Sequence, residues 1–206
     1  MIERIESLRQ KLTSSGLDAV VVNPGASLRW LTGLNFHLME RPVILFLAKA
    51  GKPLIILPAL ELAKLENLQG ELDVHAFGDN PSTWQSLFTE ALSALEGRKL
   101  RIGVESTGLR FLELNLLQKA LPDADFVDGS QTFASLRMIK DQQELAKMRK
   151  AAEIAETAMM ETLRTILVGQ TEKEIAAELV VQDAVGPLLV QRGRATEVGA
   201  DLRVGE

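Results

Sequence analysis

The sequence contains no cysteine. Disulfides, thiolate metal sites and cysteine nucleophiles are therefore excluded, and a cysteine-free chain fits a reducing cytoplasm. Histidine is almost as scarce. His37 and His75 are the only two, far apart and in no metal-binding spacing of the HExxH kind. There is no GxxxxGKS/T phosphate loop, no GxGxxG and no GxSxG nucleophile elbow. Basic excess is absent too. The net charge of −5 argues against nucleic acid or an anionic membrane as partner. No apolar run approaches the ~18–20 residues of a membrane span. The opening "MIERIESLRQKL" lacks the apolar centre of a signal peptide. The expected location is the cytoplasm.

What is present is ordinary globular material, 46% hydrophobic and 25% charged residues in a chain of 206. That is enough for a full core. Ile2, Ile5, Leu8 and Leu12 recur at helical spacing, so 2–15 reads as an amphipathic helix stopped by Gly16. "LDAVVVN" (17–23) reads as a buried strand, and Ser27 as the cap of a short helix, "LRWLTG". The apolar runs of 41–58 flank "KAGK" and read as a hairpin. Helical "ALELAKLENL" (59–68) and the strand "LDVHAF" (72–77) follow. Asn80 and Pro81 then open another helix. "KLRIGVE" (99–105) is a strand, 109–121 a helix and "ADFVDG" (124–129) a strand. The alternation predicts an α/β fold, a mixed sheet with helices on both faces, over residues 1–134.

Past "GSQTFASLRMIK" the pattern changes. Asp141 with Glu144 forms a capping box. Leu145, Met148, Ala152, Ala155, Met159, Leu163 and Ile166 make one apolar stripe on a long helix. Gly169 stops it, and Thr171 with Glu174 caps the next helix, "EKEIAAELVVQ". Residues 135–182 thus read as a linker and two helices, and the Gly-rich stretch from 183 to 206 as an irregular tail.

Candidate functional residues are few. His37, Glu40 and Arg41 sit in the loop "NFHLMER" between a short helix and an apolar strand. Such a loop on a rigid scaffold is a place for recognition. The competing reading is a solvated loop with a local ion pair, worth ~0–1 kcal/mol. His75, in a strand, reads as a structural or surface histidine, and Trp30 and Trp84 read as core. No pair of carboxylates stands in a context that suggests acid–base work, and no residue is assigned as catalytic or as a metal ligand.

Several of these motifs resemble a known family. "SLRWLTGL" (27–34) and "ERPVILFLAKAGKPLIILPALE" (40–61) are similar to the N-terminal domain of the creatinase, prolidase and aminopeptidase P group. "LRMIKDQQELAKMRKAAEIAETAM" and "GQTEKEIAAEL" are similar to the start of the pita-bread catalytic domain in that group. The "ERP" hairpin leans toward the Xaa-Pro dipeptidases. The resemblance covers residues 1 to about 182.

The resemblance implies that complete members hydrolyse the bond before proline in small peptides. They use two divalent metals, such as manganese, cobalt or zinc, which polarise the carbonyl and supply a hydroxide. The family's ligands, two Asp, one His and two Glu, fall beyond the matching stretch. None can be placed on this sequence, so no cofactor is expected in this chain. From Asp183 the sequence departs from the family pattern, as a frameshift near 182 or a truncated gene or gene model would explain. The expectation is a truncated Xaa-Pro dipeptidase-like metallopeptidase, inactive alone. The alternative is a stand-alone non-catalytic dimerisation or regulatory module. A homodimer is the expected assembly. In complete relatives the N-terminal domain adds dimer contacts and borders the partner's active site, which makes loop 35–41 the candidate contact.

Overall fold

The computed structural model describes residues 1–68 and 70–182. The chain divides into two compact units, one ending at Ile139 and one beginning at Lys140.

The first unit is built on a six-stranded sheet in the order β4-β3-β2-β1-β5-β6. The strands are β1 (Ala19–Val22), β2 (Ile44–Ala48), β3 (Leu54–Pro58), β4 (Asp73–Phe77), β5 (Arg101–Val104) and β6 (Asp125–Asp128). β2 runs antiparallel to both β1 and β3, whereas β1–β5, β5–β6 and β3–β4 are parallel. The central strands β1 to β3 are covered on both faces, which is why they read as apolar runs with no polar alternation.

The α-helices up to Thr165 are α1 (Ile2–Ser14), α2 (Ala26–Thr32), α3 (Trp84–Ala91), α4 (Phe111–Ala120), α5 (Ser130–Met138) and α6 (Gln142–Thr165). One sheet face packs Val20, Val22, Leu45 and Ile55 against Leu8 and Leu12 of α1, Leu28 and Leu31 of α2 and Phe133 of α5. The other packs Val21, Phe46, Ile56 and Ile102 against Trp84 and Phe88 of α3 and Leu116 and Leu117 of α4. Each fully buried leucine contributes about 1.5–3 kcal/mol. This is the mixed sheet with helices on both faces that the alternation predicts.

Local signals account for the element ends. Gly16 takes φ +65. With it, the Leu17 N–H reaches the Leu12 carbonyl at 3.0 Å and the Gly16 N–H reaches that of Thr13 at 3.4 Å. Both bonds close the C-terminus of α1 in a Schellman motif. Asn80 accepts from the Ser82 N–H at 3.1 Å, starting a 3-10 turn that runs into α3.

Several expectations are corrected. Ile2 is 71% exposed, so the core stripe of α1 begins at Ile5. Gly25, not Ser27, precedes α2, and Ser27 lies buried inside the helix. Residues 59–68 are a 3-10 helix. Residues 135–138, expected as linker, are the last turn of α5.

In the second unit both capping boxes form. The Glu144 N–H donates to Asp141 at 2.7 Å and the Asp141 N–H to Glu144 at 3.0 Å. Thr171 donates to Glu174 from its backbone at 2.7 Å and from its hydroxyl at 2.9 Å, opening a helix over 172–182. Those two bonds hold the Glu174 carboxyl below its ordinary value. The stripe members Met148, Met159, Leu163 and Ile166 are exposed, and the covered positions of α6 are Ala158 and Thr162. The tail from 183 onward lies outside the described residues. No helix among the described residues is long and apolar enough to cross a membrane.

Candidate functional site

The loop singled out by its residues is the connection from α2 to β2. It leaves α2 through Gly33, whose φ of +78 is in the left-handed region that favours glycine. Thr32 stiffens the exit, since its hydroxyl donates to the Leu28 carbonyl at 2.8 Å and accepts from the Leu34 N–H at 3.1 Å. Leu34 and Phe36 then turn into the core. The Lys64 ammonium sits 5.0 Å from the centre of the Phe36 ring.

Between these anchors and Val43 the chain projects outward. His37, Leu38, Met39 and Glu40 are all exposed. Arg110, at the start of α4, donates to the Met39 carbonyl across the sequence. The same guanidinium donates from Nε to both oxygens of Glu113, at 2.9 and 3.1 Å. Glu113 is fully buried. A carboxylate with no water of its own fixes Arg110, and Arg110 fixes the loop.

Arg41 lies 3.2 Å from Glu40 and 3.0 Å from Asp79. Both acids are largely exposed, so these pairs orient the loop more than they stabilise it. The structure therefore brings Glu40 and Arg41 together. His37 stands apart: among the described residues it makes no hydrogen bond to either. Arg110 and Asp79 belong to the loop as much as Arg41 does, and sequence reading missed them. The Arg110-to-Glu113 spacing at a helix start was the available hint.

A second polar cluster lies at the carboxyl ends of the parallel strands β1 and β5, where open α/β sheets commonly bind ligands. The buried Ser27 hydroxyl donates to Glu105 at 2.6 Å and accepts from Arg137 of α5 at 3.1 Å. Nearby in the chain, Asn23 is buried with no partner for its side-chain amide among the described residues. His75 lies on the edge strand β4, 3.4 Å from Asp73. Trp84 is core, and Trp30 is partly buried at the rim, beneath the guanidinium of Arg4. Among the described residues no group of three or more His, Asp or Glu side chains is placed to hold a metal ion.

A mixed six-stranded sheet between two helical layers, with a braced loop at one end, defines a class of α/β domain. The Creatinase/Prolidase N-terminal domain profile matches residues 4–139. The chain belongs to that family. It is 27% identical to the Xaa-Pro dipeptidase of Lactobacillus delbrueckii subsp. lactis over 179 residues, covering 86% of this chain and 48% of that protein. A dipeptidase from Pyrococcus horikoshii OT3 superposes with a TM-score of 0.75 at 30% identity, covering 87% of this chain and 49% of the other. A proline dipeptidase structure from Streptococcus pneumoniae superposes at 0.57 with 26% identity. It covers 66% of this chain and 98% of its own. The chain spans about half the length of the curated relatives it matches.

Proposed function

We propose that this chain is the N-terminal portion of a Xaa-Pro dipeptidase-type protein, acting in the cytoplasm, and that it does not hydrolyse peptides by itself. Its role is recognition. The loop 35–41 offers His37, Glu40 and Arg41 to a second copy of the chain and, in a complete relative, to the peptide bound there. The divalent metals of the chemistry belong to ligands outside the matched stretch.

The observation that carries this reading is the bracing of the loop. A merely solvated loop has no need of a fully buried carboxylate gripping an arginine that in turn holds the Met39 carbonyl. Preorganisation of that kind lowers the entropic cost of binding. Exposed apolar side chains accompany it: Leu38 at 45%, Met39 at 58% and, beside Arg110, Phe111 at 82%. Large exposed apolar side chains framed by charge are typical of contact surfaces. They favour the second reading equally, a stand-alone dimerisation module using the same loop.

Sedimentation velocity tests the role. The intact chain is expected to sediment at twice its monomer mass, and Met39→Glu, a change of an exposed side chain, to sediment as a monomer with its far-UV spectrum intact. A wild-type monomer across the concentration range, or a Met39→Glu dimer as tight as wild type, overturns it.

A further inference from the structure

The sheet face that carries α1 and α5 holds a cavity of about 360 Å³ at the β6 edge. Lys11, Ser15, Leu17, Arg101, Val127 and Gln131 are among its lining residues. Lys11 lies in the last turn of α1 and Ser15 caps it, four positions on, so the two share one face of the helix. The Arg101 guanidinium reaches the same end of α1, since a Cβ on Gly16 would lie 3.6 Å from its Nη1. Two cations and a hydroxyl therefore converge on one concave surface.

Neither cation is neutralised from within the fold. Among the described residues, neither the Lys11 ammonium nor the Arg101 guanidinium has a carboxylate partner, although Lys49, Lys64 and Arg110 each find one. Asp125 is the register partner of Arg101 on β6, yet it is exposed, forms no ion pair with Arg101 among the described residues and does not line the cavity. Asp128 does line it, but strand alternation turns its side chain away. Val127 packs with the face of α1 and Phe126 with the other face, and Asp128 follows Phe126. Nor does the end of α1 need the cations. The carbonyls of Lys11, Leu12 and Thr13 already accept from the N–H groups of Ser15, Leu17 and Gly16. The concave surface is left positive and attracts an anion.

The donor set suits a phosphate better than a carboxylate. A guanidinium offers a planar fork of N–H groups and an ammonium a point charge, two positive charges against the roughly −2 of a phosphate monoester. The Ser15 hydroxyl accepts from Thr132 at 3.2 Å, which leaves its own proton free for another phosphate oxygen. The space exceeds what a bare ion needs. At about 360 Å³ it falls at the small end of small-molecule sites, which run to ~300–1,000 Å³. Leu17 and Val127 give it apolar surface for a carbon chain, and the Gln131 amide gives it a polar edge for hydroxyls.

We propose that this cavity binds a small phosphate monoester with a short hydroxylated body. Lys11 and Arg101 take the phosphate, Ser15 donates to it, and the body lies over Leu17 and Val127. The inference is independent of the loop at 35–41 and of any peptide chemistry.

The test is a titration of the full chain with glycerol 1-phosphate, followed by amide chemical shifts. Saturable shifts are expected at Ser15, Leu17 and Gln131. Glycerate, which carries a single carboxylate charge, and inorganic phosphate, which has no body, are each expected to bind roughly tenfold more weakly. Lys11→Met and Arg101→Met are each expected to weaken glycerol 1-phosphate by a similar factor, and Arg101→Lys, which keeps the charge but loses the fork, by less. Absence of saturable shifts at this cavity overturns the proposal, as does binding that survives both methionine variants unchanged. Inorganic phosphate bound as tightly as the ester also overturns it, because that marks a plain anion site. Glycerate bound as tightly as the ester overturns the choice of phosphate. The three ligands probe the wild-type chain directly, so the outcome does not depend on any variant folding.

Discussion

Arg110 holds the fully buried carboxylate of Glu113 through its Nε, 2.9 and 3.1 Å from the two oxygens, while another of its nitrogens donates to the Met39 carbonyl. One guanidinium thus ties the buried face of α4 to the exposed loop between α2 and β2. Removing it strands a buried carboxylate. Arg110→Ala is expected to destabilise the first unit by about 3 kcal/mol, measured by urea unfolding. It is also expected to speed amide exchange at Leu38 and Glu40. Unchanged exchange there would mean that the loop is held by something else.

Where β5 meets the start of α5, two glycine backbones nearly touch. A Cβ on Gly129 would lie 2.9 Å from the Gly103 Cα and 3.1 Å from the Val104 nitrogen, both backbone atoms that cannot step aside. On Gly103 the nearest atom, at 2.7 Å, is the flexible end of Leu17. Gly129→Ala is therefore expected to cost about 3 kcal/mol and Gly103→Ala about 1 kcal/mol. The order of the two denaturation midpoints checks this.

Acid sensitivity follows from two carboxylates. The Arg101 N–H, then Lys49, pulls Asp18 below its ordinary value of 3.8. The Ser130 hydroxyl and N–H do the same for Asp128. A depressed folded value means that the unfolded chain binds the proton more readily. The stabilisation is therefore complete well above 3.8 and is lost as pH falls below it. The wild-type advantage over Asp18→Asn is expected to be greater at about pH 6 than below pH 3.8 and to shrink steadily as the pH falls further, read from urea midpoints. An advantage independent of pH would contradict the assignment.

In the second unit, Asp141→Ala removes the acceptor of the Glu144 N–H. A cap of this kind is worth about 1 kcal/mol. Exchange of the first-turn amides of α6 is expected to rise roughly fivefold, with the 172–182 helix unaffected.

What could be read from the sequence was whatever chemistry lies within a few residues. Gly16, the "KAGK" hairpin, the Asn80 cap and both capping boxes all act over a short local span, and each formed. The residues that position the candidate loop act across the chain. Arg110 reaches a carbonyl 71 positions away and Ser27 a carboxylate 78 positions away, and no local pattern encodes either pairing. Ser27 looked like a cap because its type suits one, yet its hydroxyl is engaged by Glu105. Periodicity also names a face without naming its cover. It grouped Ile2 with the core of α1 and drew the α6 stripe, although Ile2 and Met148 stand exposed.

Proline release from leucyl-proline by the purified chain, with and without added manganese, tests most directly the proposal that the chain recognises without hydrolysing. No release above the buffer rate is expected at any chain concentration. Saturable release that needs manganese and is abolished by a chelator would contradict it.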